Sequence, residues 1–441
     1  MAQFSTISEI LEAVEEQGID IVKFHFSDIG GTFKEIDVPT ALLETAFSKG
    51  LPFDNSVGGT FKPTGSDLML KPDPRTFSIL DLGHFGSKVG RVVCELTFLD
   101  GQAFDGCIRS ALKLYVRKIY QSGYTFSISS SLSFYLVDSA FSNAVFSKSA
   151  GNFPASLGSE TLNKIESVKH NLLSAFKNAD IDIVSLRQTT IDGPITIIFK
   201  EASVLRIADN MMTAKYIVGA VSRINGLHAS FMPKPFTNAE GLSATFGFML
   251  MKDEFNEFYH PNQEMMISDK ARGFIGGIFK HICAICTVTN PNVNSYKRIV
   301  QKGKAPYYIS WSAVDRNSLV RLPSSRGRTT KIEVQNPDSA CNPYLSLLVL
   351  LAAGISGIDE GLVPTAPVNF ETHDYSESEK QSLSAGVLPQ TLREALDAFE
   401  SDALIQESIG GSISSTLSQT ASIEWNDYIG RVHLWELEKY L

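Results

Sequence analysis

The stretch from Thr289 to Tyr344 constrains the fold more than any other part of the chain. It opens with a turn-rich NPNVN, broken at Pro291, and runs through SYKR. Three strand patterns follow: Tyr307–Ser312, a second apolar run with Arg316 and Arg321 at its flanks, and Lys331–Val334, which carries a single acid, Glu333. Asn342-Pro343-Tyr344 then opens a long apolar helix, LSLLVLLAAGISGI. Arg298, Arg316, Arg321 and Glu333 on neighbouring segments are more charge than a plain core holds. Two arrangements account for them: a polar pocket on a sheet that takes phosphate or carboxylate oxygens, or a structural set of ion pairs and solvated arginines.

Composition narrows the class. The chain has 441 residues, enough for a small and a large domain, with 43% hydrophobic and 20% charged residues. A formal net charge of −9 without any basic run excludes nucleic acid as a bulk partner. No apolar run reaches the ~20 residues of a membrane span, so none is expected. The five cysteines form no disulfide framework, which implies a reducing, cytoplasmic setting. Cys283 and Cys286 are read as two positions on one buried helix face rather than a redox pair.

Taken in order, residues 6–18 have helical spacing stopped by Gly18, and Ile21–Ser27 and Phe33–Val38 form a hairpin around the Asp28–Gly31 turn. A short helix over Ala41–Phe47 and a strand over Val89–Thr97 complete a strand-rich unit. Ile108–Ser122 is an amphipathic helix, and Phe126–Val137, FSISSSLSFYLV, alternates and is β-rich. Helices are expected over Glu160–Asn178, Ala202–Asn225 and Asp269–Thr287. Strands are expected over Ile181–Leu186, Ile195–Lys200, Ser230–Pro235 and Ser243–Lys252, and a helical tail over Gln390–Ser408 and Ala421–Tyr440.

NPNVNSYKR, KAP, DRNSLVR, KIEV with its following PD, and NPYLSLLVLLAAG are similar to the C-terminal half of glutamine synthetases. DIGGTFKEIDVP, GLPFDNSV and SDLMLKPDPRTF resemble the β-grasp domain of that family; FMPKP and the closing HLWELEKYL extend the match nearly end to end, in the shorter subtype of type I. The resemblance implies an α+β fold: a β-grasp domain over residues 1–102, then a large α/β catalytic-type domain over 103–441 with a curved antiparallel sheet. It further implies self-assembly into hexameric rings, two of them stacked as a dodecamer. The acid at Asp54, which the residues alone make a turn or cap, would reach into a neighbouring subunit's site and help bind ammonium.

The family joins ammonia to the γ-carboxylate of glutamate through phosphoryl transfer from ATP, with divalent cations held by carboxylates and a histidine. This chain departs from that pattern at most ligand positions. Two acids on one strand face become Ser131 and Ser133; two more become Thr189 (or Gln188, by a one-residue alignment choice) and Thr196; the histidine becomes Thr245 and a second histidine becomes Gly247. The flap acid that guards ammonium becomes Lys304. Glu333 is the remaining metal carboxylate, with Asp192 or the new Glu240 as the residues able to rebuild a reduced site. Arg298, Arg316 and Arg321 match arginines facing glutamate and phosphate, and Arg328 and Lys331 match basic positions near ATP. The reading is a glutamine synthetase-like pseudoenzyme, structural or regulatory, self-assembled and able to mix with an active paralogue. The alternatives are an ATP-dependent γ-glutamyl or other carboxylate–amine ligase with an altered metal site, and a metal-free anion or amino-acid binder. No cofactor is expected on the first reading; Mg²⁺ or Mn²⁺ with ATP enters only on the second.

Overall fold

The structure, a computed structural model, describes residues 4, 6–54, 67–81, 88–138, 159–190, 193–301, 305–368 and 384–441. Helix α1 (Ile7–Glu16) starts at a capping box: Glu9 N donates to Thr6 Oγ1, and Thr6 N donates to Glu9 Oε2. Strands β1 (Ile21–Ser27) and β2 (Phe33–Pro39) form the expected antiparallel hairpin. After α2 (Leu43–Lys49) come β3 (Leu51–Phe53), β4 (Leu68–Pro72), β5 (Ser78–Leu80) and β6 (Val89–Phe98). The sheet runs β2-β1-β6-β4-β3 with β5 on β6, and β1 and β6 are parallel. Its core packs Phe24, Phe26, Phe47, Leu68, Leu70, Val92 and Leu96 with Ile10 and Val14 of α1. This is a β-grasp arrangement.

The rest of the described chain builds a nine-stranded sheet with helices against it. In order these are α3 (Ile108–Gln121), β7 (Thr125–Asp138), α4 (Ser159–Asn178), β8 (Ile183–Gln188), β9 (Ile195–Ser203), α5 (Val204–Ile224), β10 (Leu227–Ser230), β11 (Ala244–Lys252) and β12 (Phe255–Asn256). Then follow α6 (Asp269–Thr289), α7 (Val293–Val300), β13 (Trp311–Ser312), β14 (Val320–Arg321), β15 (Ile332–Val334) and α8 (Pro343–Asp359). Helices α9 (Leu392–Glu400), α10 (Ala403–Ile409), α11 (Gly411–Ile429) and α12 (Leu434–Tyr440) end the chain. The strand order is β13-β14-β15-β11-β7-β9-β8, with β10 on β7 and β12 on β11; every pair is antiparallel except β13 with β14.

Strand alternation sets the two faces. Ile128, Leu132, Phe134, Ile195, Ile197, Phe199, Phe246 and Phe248 enter the core, which places Ser129, Ser131 and Ser133 on the opposite face of β7. Behind the core, α6 and α8 approach backbone to backbone. A Cβ added at Gly277 would lie 2.0 Å from the Ala353 carbonyl, and one at Gly357 would lie 2.2 Å from that of Gly273. Helix α6 is long and apolar enough to cross a membrane by length and composition, which the sequence reading did not anticipate, but 83% of its most apolar window is buried within this protein. Its Cys286 is buried and Cys283 half-buried, and all five cysteines are free.

Three segments differ from expectation. FMPKP is not a strand: pairing stops at Ser230, because Pro233 and Pro235 lack the N–H a ladder needs. Tyr307–Ser312 contributes a strand at Trp311–Ser312 and an isolated antiparallel bridge from Tyr308 to Val387. SYKR lies inside α7, whose N-cap Asn292 accepts from Ser295 N at 3.0 Å.

The two sheets meet across a polar seam. Asn342 caps α8 by accepting from Tyr344 N at 3.0 Å, and its Nδ2 donates to the carbonyls of Asp28 and Ile29 in the hairpin turn. Gly31, at φ +78°, lets that turn approach: a Cβ there would lie 3.3 Å from Asn342 Cα. The fully buried His25 ring stands between Phe33 and Tyr216 at centroid distances of 5.1 and 4.7 Å. Arg109 donates to both oxygens of Asp209 (2.9 and 2.8 Å), to Asp73 (3.1 Å) and to Glu95 (2.9 Å), while Tyr344 Oη donates to Asp209 Oδ1 at 2.7 Å.

Candidate functional site

The solvent-side face of β9, β7, β11, β15 and β14 carries the candidate site. In one row across the sheet, Ser129 of β7 lies opposite Gly247 of β11, Gly247 opposite Glu333 of β15, and Glu333 opposite Arg321 of β14. Two residues along, Ser131 faces Thr245; two further, Ser133 faces Thr196 of β9. The registers therefore gather Ser131, Ser133, Thr196, Thr245 and Glu333 onto one surface.

Chemically the hydroxyls close on one another. Ser131 Oγ and Thr245 Oγ1 are 2.7 Å apart, and Ser133 Oγ and Thr196 Oγ1 are 2.9 Å apart. Each pair shares one neutral hydrogen bond, in which either hydroxyl can donate. Glu333 is engaged at both oxygens: Arg321 Nη1 donates to Oε2 at 3.3 Å, and Lys331 Nζ lies 3.2 Å from Oε1. Lys331 Nζ also donates to Ser129 Oγ at 3.3 Å.

Beside the hydroxyl pairs lies a cavity of about 470 Å³, lined by Ser133, Thr189, Thr196, Lys234, Glu240 and Arg298 among others. Arg298 is buried, and its guanidinium donates to the backbone carbonyls of Asn336 (3.0 Å) and Gln335 (3.3 Å). Burial lowers its pKa, against the nearby Asp338. Burial likewise raises the Asp338 carboxyl, opposed by Arg298. Lys234 Nζ donates to the Ala239 carbonyl; burial lowers its pKa, against Glu240.

The remaining sequence candidates fall elsewhere. Arg316 is exposed in the turn between β13 and β14. Arg328 pairs at 3.2 Å with Glu254 on a different, exposed surface, beside a cavity lined by Phe255, Asn256 and Lys270. Asp54 is exposed directly after β3 and does not line the 470 Å³ cavity among its described residues. Lys304 and Asp192 lie outside the described residues. Sequence reasoning missed Ser129, although it extends the alternation of Ser131 and Ser133 by one step, and Lys234, which stood in the quoted FMPKP.

Comparisons with known proteins follow the same division. A family model described as glutamine synthetase, catalytic domain, matches residues 105–440, and one described as glutamine synthetase, beta-grasp domain, matches residues 18–99. A glutamine synthetase of Methanosarcina mazei is 34% identical over 444 residues, covering 100% of this chain and 99% of its own length. Those of Thermotoga maritima and Thermus thermophilus are 32% and 34% identical, each covering 99% of both chains. Among solved structures, the GmaS/ADP complex in conformation 1 superposes with a TM-score of 0.84 at 24% identity over 98% of both chains, a likeness of fold.

These matches overturn the expectation that no cofactor is involved. The family so identified works with Mg²⁺ or Mn²⁺ and ATP. Tested against that requirement, the sheet face gives a poor fit to ions held by the protein alone. Hard divalent cations need several anionic oxygens; among the described residues of this sheet face one carboxylate, Glu333, is present, already between two cations, and the hydroxyls bond to each other. Among the described residues no group of three or more His, Cys, Asp or Glu converges.

Proposed function

This chain belongs to the glutamine synthetase family, and on that premise we propose that it is a member whose own centre no longer turns over glutamate and ammonia, serving instead as a structural or regulatory subunit. The observation that supports this reading is the pair of hydroxyl contacts, Ser131–Thr245 and Ser133–Thr196, standing where the resemblance puts metal ligands. Transfer of a phosphoryl group between two anions needs free positive charge aimed at the reacting oxygens. The cations on this face are committed: Arg298 to backbone carbonyls, Arg321 and Lys331 to Glu333. Mg²⁺ carried in on ATP needs only one or two protein carboxylates, so nucleotide binding, with Lys331 and Arg328 as its candidate basic contacts, is a separate question from turnover. The test is phosphate release with glutamate, ammonium, ATP and Mg²⁺ or Mn²⁺. Release at the level of a protein-free control is expected; release that requires both glutamate and ammonium overturns the reading.

A second reading has one observation in its favour. The cavity keeps an acid and a base, Glu240 and Lys234, besides the committed Arg298, charges of both signs that suit an amine and a carboxylate, as in a carboxylate–amine ligase. Phosphate release with an amine other than ammonium distinguishes it.

Self-association belongs to the same proposal. Helix α12 presents Leu434, Trp435, Leu437 and Tyr440 at 62, 63, 42 and 73% exposure, apolar surface that a second copy would cover. We propose rings of six, stacked in pairs, built from units divided near residue 102, with Asp54 contributed to a neighbour's pocket and mixing with an active paralogue as the regulatory form. Free cysteines fit a cytoplasmic setting. Light scattering should give a mass near a multiple of six chains, and a monomer refutes the assembly.

A further inference from the structure

A second cavity, of about 660 Å³, shares no lining residue with the 470 Å³ cavity at the sheet face. Its volume is one that small ligands occupy. FMPKP borders both cavities: Pro233 lines this one and Lys234 the other. Two partly buried charges reach the new cavity from different helices, Lys215 of α5 and Glu424 of α11; Arg223, the other charged lining residue, is exposed. Lys215 Nζ donates to the Cys341 carbonyl at 2.9 Å and stands 5.8 Å from the centroid of the Phe231 ring. Glu424 Oε1 accepts at 2.9 Å from the N–H of Val293, the first residue of α7. Both partners are neutral, and among the described residues neither charge forms a salt bridge, with the other or with a third group. Burial lowers the Lys215 ammonium from its ordinary pKa, against Cys341 and Asp338, and raises the Glu424 carboxyl, against the Val293 N–H. A charge withdrawn from water is costly until it meets its opposite.

We infer that this cavity is a site for a small amino carboxylate, whose carboxylate meets the Lys215 ammonium and whose ammonium meets Glu424. A lysine ammonium carries three donors. The Cys341 carbonyl takes one, which leaves the others for a ligand carboxylate. Glu424 keeps an oxygen beyond the one that serves Val293. A ligand with one charge satisfies one end and leaves the other bare, so the pocket selects for both. Charge-assisted bonds of this kind are about twice as strong as neutral ones. Met212, Phe231 and Met232 give the lining an apolar side for the carbon chain between or beside the two ends. The inference does not rest on the proposed loss of turnover, since none of these residues belongs to the sheet face.

The test is calorimetry on the full chain with two probes, L-leucine and γ-aminobutyrate, which carry the charged ends on one carbon and at the two ends of a chain. At least one is expected to bind the wild type, with affinity reduced at least about tenfold in Lys215→Met and in Glu424→Gln. Glu424→Gln keeps an oxygen for the Val293 N–H and removes only the charge. The single-ended analogues of the probe that binds (isocaproate and isoamylamine, or butyrate and propylamine) are expected to be weaker by a similar factor. Should Lys215→Met fail to fold, Lys215→Gln keeps a donor for the Cys341 carbonyl and drops the charge. Glu240→Gln alters the sheet-face cavity alone and is expected to leave binding unchanged. The inference is overturned if neither probe binds, if binding survives the loss of either charge, if a single-ended analogue binds as well as its parent, or if Glu240→Gln abolishes binding and so places it at the sheet face. The readout is binding, so turnover or its absence does not affect it.

Discussion

Arg109 and Glu333 are each the centre of an ionic cluster, and the two clusters are built differently. Arg109 is 4% exposed and gathers Asp209, Asp73 and Glu95. Burial alone would lower its pKa; the surrounding acids, Asp209 foremost, hold it well above the ordinary arginine value. Around Glu333 the proportions are inverted, with one acid between two cations and a rank of neutral hydroxyls beside it. The first cluster ties α3 and α5 to the β-grasp sheet, and removing one member strands several buried charges. In the second, the neighbouring hydroxyls satisfy each other in pairs, so a pair can be exchanged at little cost to the fold. Buried charge joins the domains at Arg109, whereas neutral hydroxyl contacts dominate the face beside Glu333.

Four measurements sharpen or break that contrast. The largest effect is expected for Arg109→Met, which takes from the buried Asp209 the guanidinium that pairs both its oxygens, while Asp73 keeps Arg75: a loss of about 3–5 kcal/mol in denaturant unfolding, or failure to fold. A loss below ~1 kcal/mol would make the two clusters equivalent. Acid comes second. Burial holds the His25 imidazole below its ordinary 6.5, opposed by Glu35 at 3.4 Å and assisted by Arg91 and Lys23. The unfolded chain therefore takes up this proton first. Stability fully present above pH 6.5 is lost as pH falls below it, and a His25→Phe variant should show a shallower decline in melting temperature between pH 7 and 5. Third, Ser131→Ala leaves Thr245 Oγ1 without its partner, at a cost of about 1 kcal/mol. The smallest effect is expected for Ser131→Ala combined with Thr245→Val, which removes both ends of the contact and should return stability to within about 0.5 kcal/mol of the wild type. A double variant as damaged as Arg109→Met would show that the hydroxyl face is also a structural keystone.

Much of this was legible in the sequence because it is written locally. FSISSSLSFYLV alternates, so β7 and its serine face followed from period two, and the Asp28–Gly31 turn announced its hairpin. FMPKP misled because its apolar residues were weighed above its prolines. The α7 cap was present as an Asn three residues before a Ser, but NPNVN was read as a turn throughout. The site divides in the same way. The hydroxyl residues of the face could be named position by position from the resemblance. That Gly247 lies opposite both Ser129 and Glu333 could not, because the registers of β7 with β11 and of β11 with β15 join residues far apart in the chain. The engagement of Arg298 with the carbonyls of Gln335 and Asn336, and the pairing of Arg328 with Glu254, are likewise long-range facts.

Gly247 also fixes how closely three strands can share their side chains. A Cβ there would stand 2.4 Å from Ser129 Oγ, 3.2 Å from Glu333 Cγ and 3.3 Å from Lys331 Cδ. Even alanine at this position would have to press these neighbours aside, which makes it the tightest gauge of the sheet's tolerance.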